Sequence, residues 1–202
     1  MKQEKLNYII DVARNMFARY GPRKTNIDEL AHMARVAKAT IYNYFGSKDS
    51  VYLAVLKKEA DEIIEAILDS IDQEVLPPEK LIALVKTKFN QMPKALNLLN
   101  LEIDGAENRY PDSIAIRNDL FWKEVEIIQD ILEEGLAKKF FYIKNIMLAS
   151  KSIGYALRGF ERDWLLFDSR NRIDHYLDYF LNIIINGLMS NNSNKIDRLI
   201  ID

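Results

Sequence analysis

The segment Ile27 to Lys48, IDELAHMARVAKATIYNYFGSK, constrains this chain more than any other stretch. Its apolar residues fall at helical spacing in two short runs. Thr25 and Asn26 are both N-cap types, and Asp28 and Glu29 follow three residues behind them, giving two overlapping capping boxes. Ile27, Leu30, Ala31 and Ala34 then line one apolar face. After a break near Arg35, Lys38 to Phe45 reads as a second helix with Ile41 and Phe45 turned inward. That orientation leaves Lys38, Ala39, Thr40, Tyr42, Asn43 and Tyr44 outward. Gly46 ends the helix and Ser47 caps the next, which begins at Lys48.

This mixture suits contact with a DNA duplex. Lysines such as Lys38 and Lys48, and helix-terminal amides, hold phosphates. Thr40 and Asn43 reach base edges, and the hydroxyls of Tyr42 and Tyr44 reach phosphate oxygens. Ala39 is small enough for the backbone to approach the groove. With Thr25 and Asn26 at the start of the preceding helix, these residues form the candidate DNA-contact set. The pattern alone also fits an ordinary helical hairpin with a half-buried YNYF cluster.

The sequence ARVAKATIYNYFGSKDSVYLAVL resembles the N-terminal domain of the TetR (tetracycline-repressor) family of transcription regulators. IIDVARNMFARYGPRKTNIDELA resembles that family's first helix, its Gly-containing turn at Tyr20–Gly21 and its second helix. The likeness spans residues 5 to 56 without a gap. The chain departs from the family pattern at two places. Arg35 stands where the inter-helix turn usually has Gly, and Ala37 stands where the recognition helix usually has a Ser or Thr cap. Each departure costs about 1 kcal/mol. The resemblance implies an all-α fold: a three-helix helix-turn-helix domain, then a C-terminal bundle for ligand binding and dimerisation, about nine helices in total.

Composition agrees. The 202 residues are 49% hydrophobic, with seven Gly, five Pro and no Cys, which suits a helical protein without disulfides or thiolate chemistry. No apolar run reaches membrane-spanning length and nothing at the N-terminus resembles a signal peptide, so the cytoplasm is the expected compartment. The net charge of −2 does not suggest a nucleic-acid binder, but its distribution does. Residues 1–59 hold eleven Lys/Arg against six Asp/Glu, and the remainder holds seventeen against twenty-four.

In the first helix Leu6, Ile9, Ile10, Ala13, Met16, Phe17 and Tyr20 form the inward stripe. A long helix from Lys48 continues to about Ile71 and, by resemblance, carries movement between domains. Five more helices are expected at roughly 78–92, 94–104, 112–138, 142–167 and 172–190, and no sheet. Pro93 separates the first two of these. The expected organisation is a DNA-binding domain at 1–47, a ligand-binding and dimerisation domain at 48–190, and a polar tail at 191–202. The last two helices carry apolar residues on several faces. The resemblance implies that they pair with their symmetry mates, with Ser150 and Gly154 allowing close approach; a monomer's own core is the other reading. A two-fold homodimer predicts a near-palindromic operator.

The family implies a small-molecule pocket in the bundle. Candidate liners are Phe89, Met92, Leu96, Leu99, Tyr110, Phe121, Trp122, Val125, Tyr155, Arg158 and Trp164. They suit an apolar, aromatic or lipid-like effector, with Arg158 placed to hold a carboxylate. No cofactor or metal motif is present. His32 and His175 have no metal-ligand spacing, and no nucleophile or phosphate loop supports an enzyme. The clusters Asp61–Glu62 and Glu133–Glu134 read as solvated helix faces. The expected function is a ligand-released repressor, and the rival is a helical adaptor protein whose DNA-binding module is vestigial.

Overall fold

A computed structural model describes residues 2–103, 110–167 and 170–189, with residues 2, 102, 103, 163–167 and 170–173 described by backbone alone. The described residues form α1 (Lys2–Lys24), α2 (Ile27–Met33), α3 (Lys38–Phe45), α4 (Lys48–Asp72), α5 (Pro77–Gln91), a 3-10 turn (Met92–Lys94), α6 (Leu96–Ile103), α7 (Pro111–Ala137), α8 (Ile146–Phe167) and α9 (Arg170–Leu188). No β-strand occurs among them, as the sequence predicts. The chain divides into two compact units, Met1–Ile63 with Met92–Asp119, and Ile64–Gln91 with Leu120–Asp202. The 191–202 tail lies outside the described residues.

In the first unit α1 buries Ile9, Ile10, Ala13, Met16 and Phe17. It bends at Gly21, whose φ of 75° and ψ of 156° only glycine adopts without strain. Tyr20, expected inward, is 48% exposed at this bend. The Arg19 guanidinium lies 5.2 Å from the centre of its ring. The first half of α4 buries Val51, Tyr52, Val55 and Leu56. Tyr52 meets Phe17 edge-on at 5.1 Å and Tyr110 at 4.9 Å, tying α1, α4 and the segment before α7 into one core.

The second unit is built from the end of α4, α5, the later part of α7, α8 and α9. Helix α7 ends where Lys139 turns left-handed (φ 62°) and the Phe140 and Phe141 amides donate to the Gly135 carbonyl. The Phe141 ring lies so close over Gly135 that a Cβ there would come within 2.0 Å of it. Phe141 pairs with Met189 in an isolated antiparallel bridge, and the Tyr142 amide donates to the Leu188 carbonyl at 2.7 Å. Spacing predicts α8 from 142, but it begins at Ile146. The Phe141–Met189 bridge holds the chain extended here, and the Asn145 side chain caps the helix by accepting from the Leu148 amide at 3.0 Å.

Ser150 is fully buried, and a Cβ on Gly154 would come 2.8 Å from Val125 and 3.3 Å from Phe121. The close approach that Gly154 permits is therefore made between α8 and α7 of one chain. This corrects the expectation that these two small residues serve contact with a symmetry mate. Helix α8 meets α9 through Phe160 and Phe180, with ring centres 5.4 Å apart.

Candidate nucleic-acid interface and ligand domain

Helices α2 and α3 form the expected turn. Ile27, Leu30, Ala31, Ala34 and Ile41 are buried, which fixes which faces point out. Asn26 is the cap of α2, its side chain accepting from the Asp28 amide at 2.9 Å. Thr25, the other expected cap and a candidate DNA contact, is buried instead. Its hydroxyl donates to the Gly21 carbonyl at 2.9 Å, closing the end of α1. Arg35 has φ 51°, so it does occupy the left-handed turn where glycine is easier. Ala37 has the extended backbone of an N-cap and no side-chain cap bond. Both departures are present, and α3 forms around them.

Asn26, Lys38, Ala39, Tyr42 and Asn43 are exposed, and Thr40, Tyr44 and Lys48 are partly exposed. Lys38 pairs with Asp28 at 2.9 Å, and this hydrogen-bonded partner raises the lysine's pKa, so it stays charged. Lys48 donates to the carbonyls of Thr25 (3.1 Å) and Arg23 (3.4 Å), where it satisfies the C-terminal end of α1. Apart from Thr25, then, the candidate contacts on α2, α3 and the start of α4 are all at least partly accessible.

The same unit holds a polar joint that the sequence analysis did not anticipate. Glu59 of α4 is 1% exposed. Its Oε2 accepts from the Leu98 amide in the first turn of α6 at 2.8 Å, and its Oε1 accepts from Asn97 Nδ2 at 2.8 Å. Asn97 Nδ2 also donates to the Arg14 carbonyl of α1 at 3.1 Å. Arg14 reaches Glu62 at 2.5 Å, so Glu62 is an ion-pair member rather than a solvated acid. In the sequence KKEADE nothing separates Glu59 from its charged neighbours except its place on the buried stripe with Val55, Leu56 and Ile63.

The candidate ligand residues divide between the units. Met92, Leu96, Leu99 and Tyr110 fall in the first. Phe89, Phe121, Trp122, Val125, Tyr155, Arg158 and Trp164 fall in the second, and the side chain of Trp164 lies outside the described residues. Phe121 is a hub. Its ring meets Trp122 at 5.1 Å and Tyr155 at 4.9 Å, and the Arg158 guanidinium stands 5.3 Å from its centre. Phe121 and Val125 are buried, whereas Trp122 and Tyr155 are 44% and 58% exposed.

Beneath them Lys88 pairs with Glu124 and, at 2.5 Å, with Glu161. Burial pushes Glu124 above the usual carboxylate range, and the charge of Glu161 adds to this against Lys88. A groove of about 270 Å³ lies between α5 and α9, lined by Lys86, Phe89, Asn90, Asp174, Leu177 and Asp178. Of the candidate liners it includes Phe89. No cluster of three metal-binding side chains, and no helix long and apolar enough to cross a membrane, occurs among the described residues.

Residues 9–55 match the family model described as bacterial regulatory proteins, tetR family. The fatty acid metabolism regulator protein of Bacillus subtilis is 24% identical over 196 residues, covering 93% of this chain and 98% of that protein. Among solved structures, a transcriptional regulator from Cytophaga hutchinsonii superposes with a TM-score of 0.78 at 24% identity, covering 92% of this chain and 99% of that one. FadR from Bacillus subtilis in complex with stearoyl-CoA superposes with a TM-score of 0.73 at 21% identity, covering 90% and 98%.

Proposed function

Because the chain belongs to the tetR family of bacterial regulatory proteins, and so is a DNA-binding transcription regulator, we propose that it is a dimeric repressor that a long-chain acyl-CoA releases from its operator. The observation that carries this reading is the reach of the match to the fatty acid metabolism regulator. It runs through the ligand-binding part as well as the DNA-binding helices. The stearoyl-CoA bound to the Bacillus subtilis FadR structure supplies the effector class. Buried Phe121 and Val125 are the proposed apolar contacts, with Arg158 toward the polar end. The protein acts in the cytoplasm by occupying DNA and not by catalysis.

The proposed functional division is 1–47 for DNA, 48–190 for ligand and dimerisation, and 191–202 as a tail. Lys38, Ala39, Thr40, Tyr42, Asn43 and Tyr44 of α3 would enter the major groove, flanked by Asn26 and Lys48. Thr25 would act from behind, holding the end of α1. Dimerisation would use the outer faces of α8 and α9. Leu148 and Tyr155 on α8, and Tyr176, Tyr179 and Ile183 on α9, are each more than half exposed. Gly159 and Gly187 lie in the same helices with open space where a Cβ would go. A helical glycine costs about 1 kcal/mol against alanine. Among the described residues no side chain crowds either position, and a closely packed partner helix would account for both glycines.

Two copies would set two α3 helices about 34–36 Å apart, one turn of DNA. Effector binding would favour a state with another spacing, since a ligand shifts only the equilibrium between states it binds unequally. The test is fluorescence anisotropy of a selected duplex, with stearoyl-CoA and coenzyme A titrated separately. Release by stearoyl-CoA alone is expected, and retention of DNA at saturating stearoyl-CoA refutes the effector assignment. Sedimentation should give a dimer that Ile183→Glu splits; a wild-type monomer contradicts the proposed interface.

A further inference from the structure

Among the candidate DNA contacts, Lys38 and Lys48 carry the positive charge, and the two are held differently. Lys48 Nζ rests on the Thr25 and Arg23 carbonyls, which are neutral, so its charge toward an anion is undiminished. Lys38, the first residue of α3, is held by a carboxylate. Its Nζ lies 2.9 Å from Asp28 Oδ1 and 3.0 Å from Oδ2, ten positions back in the first turn of α2. Both side chains are exposed. Asp28 gives the Asn26 cap its backbone amide, which leaves the carboxylate to Lys38.

This pairing suits one kind of DNA group and not the other. An ammonium has three N–H donors, and a carboxylate gripping it from one side leaves at least one of them turned elsewhere. A phosphate that comes to that donor must displace Asp28 or stand beside its like charge. A base edge is neutral and meets neither cost, and guanine O6 and N7 accept from lysine in the major groove. The carboxylate also fixes a long side chain that would otherwise swing freely to the backbone, so the donor is placed before DNA arrives. An exposed pair of this kind is worth about fivefold in affinity at most. That is enough to bias the choice and too little to lock the lysine away.

We propose that Asp28 is a specificity-determining residue that acts through Lys38: it cancels the lysine's pull on phosphate and holds its ammonium toward a guanine edge, leaving Lys48 as the charged anchor on the backbone. Lys38 thereby reads sequence, in place of the phosphate contact that its residue type suggests. The inference rests on the DNA-binding reading above and not on the identity of the effector.

The test compares the full-length parent, Asp28→Asn, Lys38→Met and the double variant on the duplex that the parent selects and on a random-sequence duplex, each across a salt series without ligand. Asp28→Asn should bind the random duplex about two- to fivefold tighter for each α3 engaged. Its slope of log affinity against log salt should steepen by about 0.9 for each, the mark of one added phosphate contact. Its preference for the selected duplex over the random one should fall. Lys38→Met should lose about tenfold on the selected duplex, keep the parent's salt slope on the random one, and relax a guanine position when sites are selected afresh. In the Lys38→Met background Asp28→Asn should no longer steepen the slope, because the carboxylate acts through that lysine. Both side chains are exposed, so each variant should melt as the parent does; if Asp28→Asn does not fold, the Lys38→Met slope decides alone. A random-duplex slope that flattens in Lys38→Met makes Lys38 a phosphate contact and overturns the proposal. So does a steepening by Asp28→Asn that persists without Lys38, or an Asp28→Asn that changes the preferred base with no change in slope. A parent that selects no duplex at all overturns the DNA-binding reading itself, and the proposal with it.

Discussion

Ala37→Ser places a hydroxyl at an N-cap that has the right backbone and no side-chain acceptor. Ala37 has φ −69° and ψ 144°, the extended geometry of a cap, and it is exposed, so serine needs neither a backbone change nor space. The hydroxyl can accept from the Ala39 or Thr40 amide, as Asn26 already does for Asp28 in α2. A new cap of this kind contributes about 1 kcal/mol. For a chain of this size that is about 2–4 °C in melting temperature. The same hydroxyl lies beside Lys38 at the start of the proposed recognition helix, where it can donate to a phosphate. A neutral hydrogen bond of about 0.5–1.5 kcal/mol tightens binding roughly two- to tenfold. It adds no charge, so the dependence of affinity on salt should not steepen. Calorimetry and anisotropy at two salt concentrations read both effects. An unchanged or lower melting temperature would refute the assignment of Ala37 as an uncapped N-cap, and a steeper salt slope would refute the phosphate argument.

The other expectations concern packing, pH and DNA contact. Gly135→Ala should destabilise by about 1–3 kcal/mol in urea unfolding, although alanine is the better helix former, because its Cβ would overlap the buried Phe141 ring. Adding Phe141→Leu should recover part of the loss; a stabilised Gly135→Ala would contradict the packing. The raised carboxyls of Glu59 and Glu124 mean that the folded state binds more protons than the unfolded chain. Their contribution to stability is therefore complete below the ordinary carboxylate range and is lost as pH rises through about 7. Urea midpoints should show this fall, and Glu59→Gln with Glu124→Gln should remove it. Tyr42→Phe should weaken binding to all duplexes alike, whereas Asn43→Ala should change which sequence is preferred; the reverse assignment would move the base-reading role off Asn43.

The helix-turn-helix was legible because its information is local. Caps, small residues and a glycine turn all lie within a few residues of what they control: the cap at Asn26 could be read from spacing, and Gly21 and Ala37 from the family resemblance. Thr25 shows the limit. Two adjacent cap-type residues are equivalent in sequence, and only the end of α1, folded back over Thr25, decides that its hydroxyl turns inward. Long-range polar pairing was not legible. Glu59 meets Asn97 across 38 positions and Lys88 meets Glu124 across 36, and in sequence each resembles an ordinary surface charge. Glu134, read as solvated, instead pairs with Lys80 and Lys138. The start of α8 was misplaced for the same reason. Apolar spacing continues back to Tyr142, and the segment is instead drawn extended into a bridge with Met189, distant in sequence, before Asn145 caps the helix.

The most direct test of the DNA-binding account is selection of bound sites from a random duplex pool by the full-length protein, followed by salt titration on the winning sequence. The account predicts a near-palindromic site with half-sites one helical turn apart and an affinity that falls steeply with salt. A pool that shows no enrichment, with and without stearoyl-CoA, would contradict it.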